Sequence, residues 1–207
     1  KVYRVMAGAL ANDFPILEFS GGRKKKDSLD SKLLSKPDVS ASQIYDKVRC
    51  RIVTRSAADI FPVLNYVQRS LVPFNFVIPG QSTNTLLRFH DYCQSEPELA
   101  RLVPDLQLPL DIEDGLSAID NRFTAPSYRV VHFIADVPVR VPDNVLAQAP
   151  EATADLGHTI FVQTEFQVID RETDESNEAG DASHRAYKAR QKLAVMHRLK
   201  VGRYIKS

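Results

Sequence analysis

The strand-like stretch from Thr159 to Ile169 constrains the fold most, because its two sets of side chains alternate from Val162 to Val168. In a strand successive side chains point to opposite faces, so Gln163, Glu165 and Gln167 share one face while Val162, Thr164, Phe166 and Val168 share the other. A polar column of one carboxylate between two amides therefore stands on one face of a half-buried strand. Polar groups repeated at period two either line a wet cleft or face bulk solvent, since burying them without partners costs roughly 1 to 3 kcal/mol each.

Other segments carry equally definite patterns. Val48 to Val53 reads as a strand with Val48, Cys50 and Ile52 on one face and Arg49 and Arg51 on the other. Ser56 to Asp59 is a capping-box start for a helix whose Ile60, Val63, Leu64, Val67 and Leu71 follow the i, i+3, i+4, i+7 stripe. Pro73 ends that helix, and Phe74 to Ile78 is expected to be the next strand. A helix is expected from Thr83 to Gln94, within an insertion spanning residues 81–120 whose Pro104 and Pro109 belong to loop-like sequence. Arg129 to Val137 is a further strand, and Arg171 to Leu199 holds one or two helices interrupted near Gly180. The order β-α-β, insertion, β, β, α predicts an α/β (α+β) architecture in which a mixed β-sheet is flanked by helices. One domain over residues 1–207 is expected, since 207 residues with 43% hydrophobic content are enough for a single sizeable core.

A formal net charge of +1 gives no global attraction to a polyanion, so any anion site must come from local clustering, and Arg23, Lys24, Lys25 and Lys26 supply it. Gly21 and Gly22 precede that run as a flexible loop able to fold over phosphates, although four consecutive basic residues also suit a solvated surface. Cys50 and Cys93 form no metal spacing and no disulfide framework; Cys50, in an apolar strand, reads as a core thiol, which fits a reducing cytoplasm. No apolar run approaches the ~20 residues a membrane helix needs, and no signal peptide is visible, so no membrane partner is expected. The chain opens at Lys1 rather than methionine, as a piece of a longer protein would.

The segment from Thr164 to Lys188 resembles the C-terminal signature of the RelA/SpoT-like (p)ppGpp synthetases of the nucleotidyltransferase superfamily. Glu165 and Gln167 match the family's strand, and Glu178, Gly180, His184, Tyr187 and Lys188 match the helix that follows it. Asp46 and Arg51 resemble the family's Asp-x-x-Gly-x-Arg-Ile, in which the aspartate binds magnesium and the arginine faces the ATP phosphates. Arg23, Lys24, Lys26, Ser28, Leu29 and Lys32 resemble its basic ATP-gripping segment, with Arg23 one place late. Pro126 to His132 resembles Asn-Gly-Tyr-x-Ser-Leu-His, whose tyrosine stacks on the acceptor guanine; Tyr128 and His132 are expected to share a strand face with Val130.

The resemblance implies a nucleotidyltransferase-like fold and Mg2+-dependent transfer of pyrophosphate from ATP to the 3′ hydroxyl of GDP or GTP. Asp46 and Glu165 would be the metal-binding and catalytic carboxylates, with Glu165 also orienting or deprotonating the hydroxyl. Arg23, Lys24, Lys26, Ser28, Lys32, Arg49 and Arg51 would bind the ATP phosphates, and Tyr128, His132, Gln167, His184, Tyr187 and Lys188 would face the acceptor nucleotide. The departures are specific: Arg49 stands where the family has glycine, Ser127 and Val130 replace glycine and serine, and Ile169 with Asp170 replaces Arg-Thr. They leave two alternatives open: the same chemistry on another acceptor, an adenine nucleotide or the 3′ end of tRNA, or a nucleotide-binding and interaction domain without turnover.

Overall fold

In a computed structural model, residues 2–12, 14–35, 47–87, 123–151, 153 and 157–204 are described. Asp46, Cys93 and the part of the expected insertion between residues 88 and 120 lie outside them. The elements run α1 (Val2–Ala11), β1 (Ile16–Arg23), α2 (Lys26–Ser35), β2 (Val48–Thr54), α3 (Ile60–Ser70), β3 (Thr83–Asn84), β4 (Val131–Arg140), α4 (Asp143–Leu146), β5 (Thr159–Asp170), α5 (Arg171–Glu178) and α6 (His184–Tyr204). The strands form one sheet in the order β1-β2-β5-β4-β3. β2 and β5 are parallel at its centre and the other pairs are antiparallel, so the sheet is mixed as expected.

Register decides what each face does. Phe166 lies beside Cys50 on β2 and Phe133 on β4, and Val168 beside Ile52 and Val131. These side chains meet Met6 and Ala9 of α1 and Ile60, Val63 and Val67 of α3 in the main core. The Phe133 and Phe166 rings stack with centroids 5.0 Å apart. One residue out of phase, Glu165 lies beside Arg49 and Ile134, and Gln167 beside Arg51 and His132. The expected division of polar and apolar sets is therefore what the sheet adopts. Among the described residues no helix is long and apolar enough to cross a membrane.

The expected helix after Ser56 forms, through one 3-10 turn at Ala57–Asp59, with the Asp59 carboxylate accepting from the Ser56 N–H at 3.0 Å. Gly180, at φ +60, lies between α5 and α6 in a left-handed conformation that glycine adopts without steric cost. Three expectations are corrected. Phe74 to Ile78 is not a strand: Phe74–Phe76 is a 3-10 turn set by Pro73, whose carbonyl accepts from Phe76 N–H at 2.9 Å, and Val77 makes a single bridge to Ala135. The start of the helix expected at Thr83 is instead the edge strand β3. There the Asn84 side-chain oxygen accepts from the Leu86 and Leu87 N–H groups at 3.2 and 2.9 Å, a local alternative to helical bonding. Gly21 and Gly22 are not a loop; they pair with Cys50 and Arg49 inside β1. A Cβ on Gly21 would come within 3.3 Å of the Arg49 carbonyl and of the Tyr3 hydroxyl, so close packing of α1 on β1 favours glycine there.

Candidate active site

The polar face of β2 and β5 is the floor of the site. Glu165 is buried, at 8% exposure, and its Oε1 accepts from Gln167 Nε2 at 3.0 Å and lies 3.1 Å from His132 Nε2. Both neighbours come from the period-two pattern of adjacent antiparallel strands, which sets His132 opposite Gln167. Among the described residues no donor reaches Oε2 of Glu165.

The basic run sits at a strand-to-helix joint. Arg23 ends β1 opposite Val48, the Lys24 N–H donates to the Lys47 carbonyl at 2.8 Å, and Lys26 opens α2. Arg23, Lys24, Lys25, Lys26 and Leu29 line a cavity of about 400 Å3. Ser28 and Lys32 follow one turn apart on α2. Lys188 Nζ of α6 lies 3.4 Å from Ser28 Oγ and 3.4 Å from Gln191 Oε1, so a residue expected on the acceptor side abuts the basic helix. Gln191 Nε2 in turn reaches Ser35 Oγ at 3.4 Å in a buried polar seam between α2 and α6.

Arg49 is exposed on this face, beside Gly22 of β1 and Glu165 of β5. Arg51 is half-buried and forms an ion pair with Asp174 of α5, with Glu178 4.0 Å away. Asp174 was missed in the sequence, although Asp174 and Glu178 at i, i+4 on one helix offer a paired acidic face as a signal.

Tyr128 is not on a strand, contrary to expectation, because β4 begins only at Val131. Its N–H closes a turn onto the Ala125 carbonyl at 3.0 Å. The buried Asn177 side chain then takes the place of a sheet neighbour: Oδ1 accepts from Arg129 N–H at 3.1 Å and Nδ2 donates to Arg129 O at 2.7 Å. Burial pushes the Tyr128 phenol above its ordinary pKa, with Glu165 and Glu178 adding to the shift and Arg51 and Arg49 opposing it. The tyrosine is thus a neutral hydroxyl within the electrostatic reach of the site.

His184 opens α6, stacked on Tyr187 with centroids 6.4 Å apart, and Tyr187 meets Phe123 edge-on at 6.3 Å. Partial burial, then the charges of Lys188 and Arg49, hold the imidazole below its usual pKa, with Lys24 contributing and Glu178 opposing. Cys50 lies on the other face, where burial and then Glu165 push its thiol up to about 11. It is the core thiol the sequence implied. The departure at Ile169 and Asp170 is structural: Ile169 is 1% exposed, and Asp170 caps α5 by accepting from Thr173 N–H at 3.1 Å.

Among the described residues no group of three or more His, Cys, Asp or Glu side chains is arranged to hold a metal ion. Magnesium does not require one, since it binds through one or two carboxylates together with water and substrate oxygens. A carboxylate anchored through one oxygen, with no donor among the described residues on the other, fits as one such ligand.

A mixed five-stranded sheet flanked by helices, with one apolar and one polar face, defines an α+β protein. The chain has the RelA/SpoT-like fold of small alarmone synthetases: it superposes on small alarmone synthetase 2 from Bacillus subtilis with a TM-score of 0.50 at 16% identity, covering 99% of this chain and 84% of that one. Small alarmone synthetase 1 from Bacillus subtilis matches at a TM-score of 0.47 and 12% identity, over 99% and 84% of the two chains. A GTP pyrophosphokinase family protein from Streptococcus pneumoniae matches at 0.47 and 11%, over 99% and 82%. No protein-family model and no curated protein matches the chain.

Proposed function

We propose that this chain is a nucleotide pyrophosphokinase that moves the β,γ-pyrophosphoryl group of ATP to the 3′ hydroxyl of GDP or GTP. The acceptor's 3′ oxygen bonds to the β phosphorus, the bond to the α–β bridging oxygen breaks, AMP leaves, and the hydroxyl proton passes to Glu165. The observation that carries this reading is convergence: the strand register sets Glu165 beside Arg49 and Gln167 beside Arg51 and His132, and Lys188 of α6 lies 3.4 Å from Ser28 of the basic helix, so motifs far apart in sequence meet.

In this reading Arg23, Lys24, Lys26, Ser28 and Lys32 cradle the ATP phosphates. Arg49 adds a guanidinium suited to bidentate phosphate contact. Arg51, tied to Asp174, supplies field from a fixed position. Tyr128 offers its ring to the acceptor base, and His184, Tyr187 and Lys188 form the wall beside it. Glu165, with Asp46, would hold magnesium, which supplies neutralisation of phosphate charge when bound. Positioning and electrostatics do nearly all the work in such a transfer.

A second reading, nucleotide binding without turnover, draws on the Arg51–Asp174 pair, because a guanidinium engaged by a carboxylate has fewer N–H groups for phosphate. Incubation with magnesium and ATP plus, separately, GDP, GTP, no acceptor and tRNA, followed by product analysis, tests both. AMP and a 3′-diphosphorylated guanine nucleotide in equal amounts are expected. Tight ATP binding with no product for any acceptor would favour the second reading.

A further inference from the structure

Among the described residues, the buried polar atoms without a hydrogen-bond partner include two on paired strands, Nδ1 of His132 and Oγ1 of Thr83. Buried polar groups are paired in the great majority of proteins, so two orphans on neighbouring residues call for a common explanation. They are neighbours. Thr83 of β3 is the register partner of His132 of β4, so both side chains leave the sheet on the same face. The other ring nitrogen of His132, Nε2, is 3.1 Å from Glu165 Oε1.

A neutral imidazole donates from one nitrogen and accepts at the other, and the partner of each fixes the tautomer. In the neutral ring, with Nε2–H committed to Glu165, Nδ1 is a lone-pair acceptor. The Thr83 hydroxyl is a donor that can rotate to suit. We propose that Thr83, His132 and Glu165 form an ordering chain. In it Thr83 Oγ1–H donates to His132 Nδ1 through one bridging water, and His132 Nε2–H donates to Glu165 Oε1. Gln167 completes the grip from its own strand, donating to the same oxygen at 3.0 Å.

This gives His132 and Thr83 a role distinct from contact with a nucleotide. His132 has no polar atom left for a phosphate, and Thr83 lies one strand further from Glu165. Both are positioning residues. They hold Oε1 and leave Oε2 as the oxygen that meets magnesium or the attacking hydroxyl, and a small misplacement at that point can cost about 100-fold in rate. The inference rests on the proposed function for its catalytic meaning but not for the hydrogen-bond chain itself.

The test uses Thr83→Val, which keeps the shape and removes the hydroxyl, beside Thr83→Ser, which keeps the hydroxyl. The first readout is the 15N spectrum of the His132 ring in the whole chain. Wild type should show the Nε2–H tautomer with a hydrogen-bonded Nδ1. Thr83→Val should shift Nδ1 or bring in the second tautomer, and Thr83→Ser should restore the wild-type spectrum. The second readout is steady-state kinetics. Thr83→Val should lower kcat by about 10-fold, within the range that positioning effects span, with KM for both nucleotides changed less than about 2-fold. Thr83→Ser should recover most of the loss. A His132 ring unaffected by Thr83→Val would overturn the chain whatever the activity, and a rise in acceptor KM at constant kcat would return these residues to nucleotide contact. Absence of turnover in the wild type would count against the proposed function while leaving the 15N result decisive here.

Discussion

The two faces of β2 and β5 differ by one residue in phase and by nearly everything in chemistry. Cys50, Ile52, Phe166 and Val168 point into a dry core under α1 and α3, where area removed from water and close packing hold the fold. Arg49, Arg51, Glu165 and Gln167, on the same strands, point the other way and contribute charge, hydrogen bonding and access. One face makes the other possible. Two parallel central strands fixed by apolar contacts give a rigid floor from which the polar groups project at a set spacing.

Substitutions on either side of the sheet should therefore separate stability from activity. The largest effect on folding is expected from Phe166→Ala, which removes a fully buried ring stacked on Phe133. It should cost about 3 to 5 kcal/mol in denaturant unfolding, the usual range for a buried Phe truncation. Next comes Glu165→Gln, one residue away. It keeps an oxygen able to accept from His132 and Gln167 and removes the charge, so transfer should fall ~10²-fold or more while the unfolding midpoint stays within experimental error. A large stability loss in this variant would mean that the polar face is structural after all.

Tyr128→Ala should weaken the acceptor by ~1 to 3 kcal/mol and leave ATP nearly unchanged, the scale of one lost base stack, as read by calorimetry. Arg49→Gly should weaken ATP instead, and the difference from wild type should shrink at high salt, because screening weakens an exposed contact. Tighter ATP binding by Arg49→Gly would show that the arginine obstructs the site. The smallest effect is on titration. Since the Lys188 charge helps hold His184 below its ordinary pKa, Lys188→Gln makes protonation easier and should raise that pKa, whereas Glu178→Gln removes an opposing charge and should lower it further. NMR titration of His184 reads both directions.

What the sequence disclosed follows the same division. The alternation from Val162 to Val168 and the Val48 to Val53 pattern reported both faces correctly, because period two is fixed by backbone geometry. The capping box at Ser56 and the break at Gly180 were legible for a similar reason, each resting on local chemistry. β1 was hidden, since Gly21 and Gly22 have no side chains to show alternation and their strand conformation comes from pairing with β2. The two-residue β3 was hidden as well, because tertiary pairing with β4 overrides any propensity a short segment carries. Asn177 and Asp174, which clamp Arg129 and Arg51, are long-range partners that spacing alone does not reveal.

The role proposed for Glu165, on the polar face, is to serve transfer of pyrophosphate from ATP to a guanine nucleotide. The most direct measurement is product analysis of wild type and Glu165→Gln, each incubated with magnesium, radiolabelled ATP and GDP, after both are shown to be folded. Label in a 3′-diphosphorylated guanosine nucleotide with matching AMP is expected for the wild type, and loss of both products in Glu165→Gln. Equal turnover by the two proteins, or a folded wild type that binds ATP and yields no such product with GDP or GTP, would contradict it.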